Sequence, residues 1–188
     1  MQLDLEAKKR LLTLARSSIA RELGLSPPST ATDPNRREQD ILESPGGAFV
    51  TLRIDGDLRG CIGNMRSVDP LGETVAKMAV SSAVRDPRFP PLPPEELPRT
   101  TIEISVLSPL RTITDIEELI PGTHGLYLSY RGRSGVLLPQ VATEQGWTRG
   151  QFVRHTCLKA GCPEDTWRDP EAKLEIFTAE VFSEAEAF

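Results

Sequence analysis

Between residues 4 and 23, Leu5, Leu12, Ala15, Ile19 and Leu23 recur near a 3.6-residue period with charged side chains between them, the pattern of an amphipathic helix. Gly24 supplies a C-terminal stop. From Ser26 to Pro45 the period disappears, and Pro27, Pro28, Pro34 and Pro45 predict a surface loop, partly mobile. Strand formers resume at Ala48–Ile54. Asp55-Gly56 then provides the two positive-φ positions of a tight hairpin, and the return strand runs to about Ile62. A two-residue turn sets Arg59 opposite Leu52 and Cys61 opposite Val50. Asp69 is placed to cap a helix starting at Pro70, with Leu71, Val75, Met78 and Ser82 on its inner side up to Asp86-Pro87.

Six of the twelve residues from Pro87 to Pro98 are proline, which predicts an extended surface strap without regular hydrogen bonding. Thr101 to Leu107 alternates with the period of a half-buried strand. A short helix is expected at Asp115–Leu119 and a second hairpin from Gly125–Tyr130 and Ser134–Leu138, joined through Arg131-Gly132-Arg133. A helix over Gln151–Lys159 ends at Gly161, and a last strand covers about Leu174–Phe182. Strands interleaved with helices but joined partly by tight hairpins define an α+β class, a largely antiparallel sheet with flanking helices. No repeat and no linker divides the chain, so residues 1–188 read as one domain.

The net charge of -5 argues against non-specific nucleic-acid binding, which draws on basic patches. No stretch approaches the roughly 20 apolar residues of a membrane span, and Met1 to Glu6 lacks the order of a signal peptide, so a cytoplasmic protein with no membrane association is expected. Cys61, Cys157 and Cys162 are too few for a disulfide framework and are expected as reduced thiols. Neither a GxGxxG turn nor a GxxxxGK[ST] loop is present, and no serine sits in a GxSxG elbow. Two thiols with His155 fall short of a four-ligand zinc site, so no metal is expected.

Chemistry concentrates in Leu58-Arg59-Gly60-Cys61-Ile62-Gly63. Strand alternation points Arg59 and Cys61 to one face, where a guanidinium favours the thiolate, the nucleophilic form of cysteine. The alternative is that Cys61 is a small core residue, as free cysteines commonly are, while Arg59 snorkels or pairs with a carboxylate such as Glu103. Gly60 and Gly63 permit close approach of a backbone or ligand, or mark a bulge. Arg85-Asp86-Pro87-Arg88-Phe89-Pro90 offers either a bidentate anion site or an internal ion pair that fixes the turn. Gln140, after Leu138-Pro139, brings a donor and an acceptor to a strand end, and Glu144 is either a general base or a solvated helix carboxylate.

The segment Leu58–Gly63, then Asp86-Pro87-Arg88-Phe89, Ile104-Ser105-Val106-Leu107-Ser108, Leu137-Leu138-Pro139-Gln140-Val141-Ala142, Gly146-Trp147 and Cys157-Leu158-Lys159-Ala160-Gly161 resemble in order and spacing the signatures of the AMMECR domain family, also called AmmeMemoRadiSam system protein A. The resemblance covers about residues 45–183; Cys162 departs from the usual aliphatic residue after Lys-Ala-Gly. It implies a larger and a smaller lobe with a cleft between them, and the company of Memo-type and radical S-adenosylmethionine proteins in a modification pathway. It also implies a cysteine-bearing pocket for a nucleotide or nucleic-acid base. On the family's motif positions, Cys61 and Arg59 are the expected catalytic pair and Gly60, Gly63, Arg88 and Gln140 the expected substrate contacts. A non-catalytic nucleotide or small-molecule binding module, and an adaptor for those partners, are the competing readings.

Overall fold

Asp4 accepts the Ala7 amide at 2.9 Å and so starts helix α1, Leu5–Glu22. Ala7, Leu11, Leu12, Ala15 and Ile19 form its buried stripe; Leu5, at the first turn, is exposed. The computed structural model describes residues 3–27 and 41–187, so the loop expected from Ser26 to Pro45 lies largely outside the described residues. After it come β1 (Ala48–Ile54), β2 (Asp57–Asn64), α2 (Leu71–Val84) and β3 (Thr100–Leu107). Next are β4 (Arg111–Ile113), β5 (Gly125–Tyr130), β6 (Arg133–Leu137), α3 (Pro139–Glu144) and α4 (Arg149–Lys159). The chain closes with β7 (Lys173–Phe177), β8 (Ala179–Ser183) and α5 (Glu184–Ala187). The fold is α+β, with four-stranded sheets ordered β2-β1-β3-β8 and β4-β7-β5-β6.

The chain forms two compact units: the described residues up to Leu107 together with those from Glu180 onward, and Ser108–Ala179. In the first unit, α1 and α2 cover one face of the sheet. Ala48, Val50 and Leu52 on β1 and Ile102 and Ile104 on β3 project into this layer and are fully buried. Arg16 on α1 grips Glu184 with two hydrogen bonds of 2.6 Å, and Lys8 pairs with Glu180 at 2.8 Å, tying the first helix to the end of the chain. In the second unit, Phe152 and Val153 of α4 pack on Leu126, Leu128 and Ile176. The β5–β6 turn uses Arg131 and Gly132, both at positive φ, so Arg133 already belongs to β6.

Several expectations change for local reasons. Pro70 is the N-cap of α2 with no side-chain bond, and Asp69 instead pairs with Lys77 at 2.8 Å. The proline strap is not wholly extended, because Pro94–Arg99 forms a 3-10 helix; its leading proline stands where no N–H is required. The strap is also anchored, with Leu92 buried and donating to the Ala83 carbonyl at 2.8 Å. The single last strand is two: β7 joins the second sheet and β8 the first, separated by Thr178. Thr178 exchanges bonds of 2.9 Å with Ser108, its carbonyl accepting from the Ser108 amide and its amide donating to Ser108 Oγ.

Both tryptophans, Trp147 and Trp167, belong to the second unit. Their fluorescence therefore reports that unit, whereas far-ultraviolet circular dichroism reports the whole chain. A single domain requires coincident thermal transitions by the two probes; a separate tryptophan transition would divide the chain into two folding units.

Candidate functional site

The first hairpin turns as expected through Asp55 and Gly56, with φ of 52° and 90°. Its register does not continue as expected. Arg53 faces Leu58 but Leu52 faces Gly60, leaving Arg59 as the extra residue of a β-bulge. Cys61 therefore faces Thr51 rather than Val50, and it is Gly60 that lies opposite Leu52. The reason is on the helix side. A Cβ on Gly60 would come within 2.1 Å of the Ser82 carbonyl oxygen, so α2 seats its backbone directly on this glycine. The Ser82 hydroxyl accepts from the Ile62 amide at 2.9 Å and donates to the Val50 carbonyl at 2.7 Å.

Cys61 and Thr51 oppose each other on the face away from the helices, and the Thr51 hydroxyl donates to Cys61 Sγ at 3.4 Å. Because β2 is an edge strand, the Cys61 amide and carbonyl point outward with no strand to receive them. The Asp86 carboxylate, with its side chain 2% exposed, accepts from the Cys61 amide at 2.9 Å. Arg88 Nη2 donates to the Cys61 carbonyl at 3.1 Å. The two side chains are also joined fork to fork, Arg88 Nε to Asp86 Oδ1 at 2.9 Å and Nη2 to Oδ2 at 2.7 Å. The pair thus caps both main-chain groups of Cys61.

Electrostatics follow from this arrangement. The hydrogen bonds from Arg88 hold the Asp86 carboxyl far below the ordinary carboxylate range, against the opposing effect of burial and with help from the Cys61 and Arg88 amides. Asp86 in turn raises the Arg88 guanidinium, and the Cys61 thiol adds to this in smaller measure.

Arg59 is placed elsewhere. Its Nε pairs with Glu96 at 2.9 Å and Nη1 donates to the Pro90 carbonyl at 2.9 Å, binding β2 to the proline strap. Glu96, not Glu103, is its carboxylate, and the guanidinium bonded to Cys61, at its main-chain carbonyl, is that of Arg88. The close approaches that the two glycines permit are to the protein's own atoms: Ser82 at Gly60, and at Gly63 the Phe49 ring, 2.1 Å from where a Cβ would stand. Gln140 lies in the second unit, in the first turn of α3. Its carbonyl accepts from the Thr143 hydroxyl at 2.8 Å, and its side-chain amide has no bond among the described residues. The roles of Ser82 and Thr51 are not visible in the sequence: the expected register sets Val50, not Thr51, opposite Cys61, and Ser82 looks like one more inner position of a helix. Among the described residues no group of three or more His, Cys, Asp or Glu side chains gathers as a metal site, and no helix is long and apolar enough to cross a membrane.

An α+β chain whose edge cysteine is clamped by an Asp-Pro-Arg turn is the arrangement in which the earlier motifs come together. The AMMECR1 family model matches residues 12–182, and the chain belongs to that family. Protein MK0488 of Methanopyrus kandleri is 39% identical over 98% of this chain and 92% of its own length. A protein of Methanothermobacter thermautotrophicus is 44% identical over 77% of this chain and 79% of its own. The crystal structure of the uncharacterized protein PH0010 from Pyrococcus horikoshii superposes with a TM-score of 0.83 at 38% identity, covering 97% of this chain and 93% of that one.

Replacing Asp86 with Asn removes the charged acceptor shared by Arg88 and the Cys61 amide, and should cost about 2 kcal/mol of unfolding free energy at pH 7. A carboxyl lowered in the folded state stabilises the fold fully above its unfolded value, near pH 4. That contribution is lost as pH falls toward the folded value. Urea titrations should therefore show the gap between wild type and Asp86→Asn constant from pH 7 to about 5 and narrowing below about 4.

Proposed function

We propose that this protein acts in a modification pathway through the Cys61 thiol, on a small polar ligand whose anionic group is met by Arg88. The observation that carries the reading is the sharing of one guanidinium between a buried carboxylate and the main-chain carbonyl of a half-buried cysteine. The other two cysteines are buried in a hydrophobic core. Clamping the Cys61 main chain fixes the sulfur in position, which is the precondition for nucleophilic or acid-base work by a thiol. The Thr51 hydroxyl orients it further.

In this reading Asp86 holds Arg88, whose side chain is 53% exposed and so open to a ligand. Arg59 acts by holding the strap, and Gln140 is a polar ligand contact proposed on its own account. A nucleotide or nucleic-acid base is the proposed ligand class and Memo-type and radical S-adenosylmethionine proteins the proposed partners, both from the family resemblance; the cytoplasm is the proposed location. A second reading, a non-catalytic binding module, draws on the exposure of Arg88, which can hold an anion with no reactive thiol.

Iodoacetamide labelling of the native protein, mapped by mass spectrometry, tests the reading. Cys61 should label while Cys157 and Cys162 stay protected until denaturation. Arg88→Gln should slow labelling about threefold or more at pH 7, whereas Arg59→Gln should leave the rate unchanged and lower the melting temperature. A Cys61 that reacts only after denaturation defeats the proposal. Slow labelling that a nucleoside monophosphate suppresses further, with the ligand recovered unaltered, selects the binding module.

A further inference from the structure

Helix α4 ends in a closure with defined geometry. Gly161 takes φ of 70°, its amide donates to the Leu158 carbonyl at 2.9 Å, and the Cys162 amide donates to the Cys157 carbonyl at 3.0 Å. This pair of bonds is the Schellman motif, which brings the side chain three places before the helix cap against the one two places after it. Here those two side chains are Cys157 and Cys162. Both are buried in the same core cluster. The close packing of the helix end on β6 keeps them there, since a Cβ on Gly135 would stand 2.6 Å from the Thr156 carbonyl oxygen and the Ala160 amide nitrogen. Burial pushes the Cys157 thiol above its ordinary range, and the neighbouring Cys162 acts in the same direction.

We infer that Cys157 and Cys162 are a paired-thiol modification site that closes to an intramolecular disulfide by exchange with a low-molecular-weight disulfide such as oxidised glutathione. The contact set by the Schellman closure supplies the proximity a disulfide requires. Cys162, 5% exposed against 0% for Cys157, is the first to react. Its thiolate attacks one sulfur of the small disulfide, forming a mixed disulfide and expelling one thiolate, which takes up the proton Cys162 lost. The Cys157 thiolate then attacks Cys162 Sγ, breaking the mixed bond and releasing the second small thiol. Two protein thiols are oxidised and one disulfide is reduced to two thiols. Because both thiols are buried, exchange proceeds through opening of the last helical turn and is slow, while the position of equilibrium is set by the closed geometry.

The full-length chain equilibrated in glutathione buffers of graded ratio, approached from the reduced and the oxidised side, tests this. Acid quenching and peptide mapping would follow the Cys157–Cys162 crosslink, with Cys61 read separately in the same digest. The native protein should hold the crosslink at a ratio of oxidised glutathione to the square of reduced glutathione about tenfold or more below that needed in 8 M urea, about the denaturant strength that unfolds small domains. An equal or higher ratio in the native state overturns the inference. So does a native product that is only the mixed disulfide at either cysteine.

Discussion

The buried carboxylate of Asp86 is the interaction on which the first sheet depends at its open edge. An edge strand leaves outward amides and carbonyls to water or to a stray strand. Here the group that answers them is supplied by the turn after α2. Asp86 satisfies the Cys61 amide directly and the Cys61 carbonyl through Arg88. Burying a charge is tolerable because four donor contacts, two from the guanidinium and two from main-chain amides, converge on it. The helix end, the turn and the strand are thereby joined in one polar network, and the thiol stands at its outer limit.

Steric and polar constraints at that junction are coupled. Gly60 lets the α2 backbone come close enough for Ser82 to bridge β1 and β2, and the same approach brings Asp86 level with the next residue. A side chain at position 60 would hold the helix off and pull the carboxylate from its amide. The bulge at Arg59 absorbs the resulting offset and frees that guanidinium to reach the strap.

Much of the architecture was legible because it rests on local rules. Asp55-Gly56 dictates its turn whatever surrounds it, and the apolar positions of Ile102 and Ile104 announce a face. The family motifs were likewise readable as strings. What escaped depended on contacts between distant segments. No local signal distinguishes a regular strand at Arg59 from a bulged one, since the bulge answers a helix backbone some twenty residues away. The division of the last strand at Thr178 leaves only a slip in the apolar phase at Ile176-Phe177 as a local trace, and it is the pairing of Thr178 with Ser108 that marks the break. The guanidinium that bonds the Cys61 main chain comes from Arg88, 27 residues later, and no local pattern announces that contact.

The interleaving of the two units orders events during synthesis. Ser108–Ala179 is one continuous stretch, and every residue it needs has been synthesised before Glu180 is added. The first unit begins earlier but lacks its fourth strand, β8, until all of Ser108–Ala179 has been made. Until then Arg16 has no Glu184 and Lys8 no Glu180, and β3 stands as a temporary edge. The segment translated first is thus the one completed last, and its half-built sheet is where a nascent chain would need shielding from its neighbours.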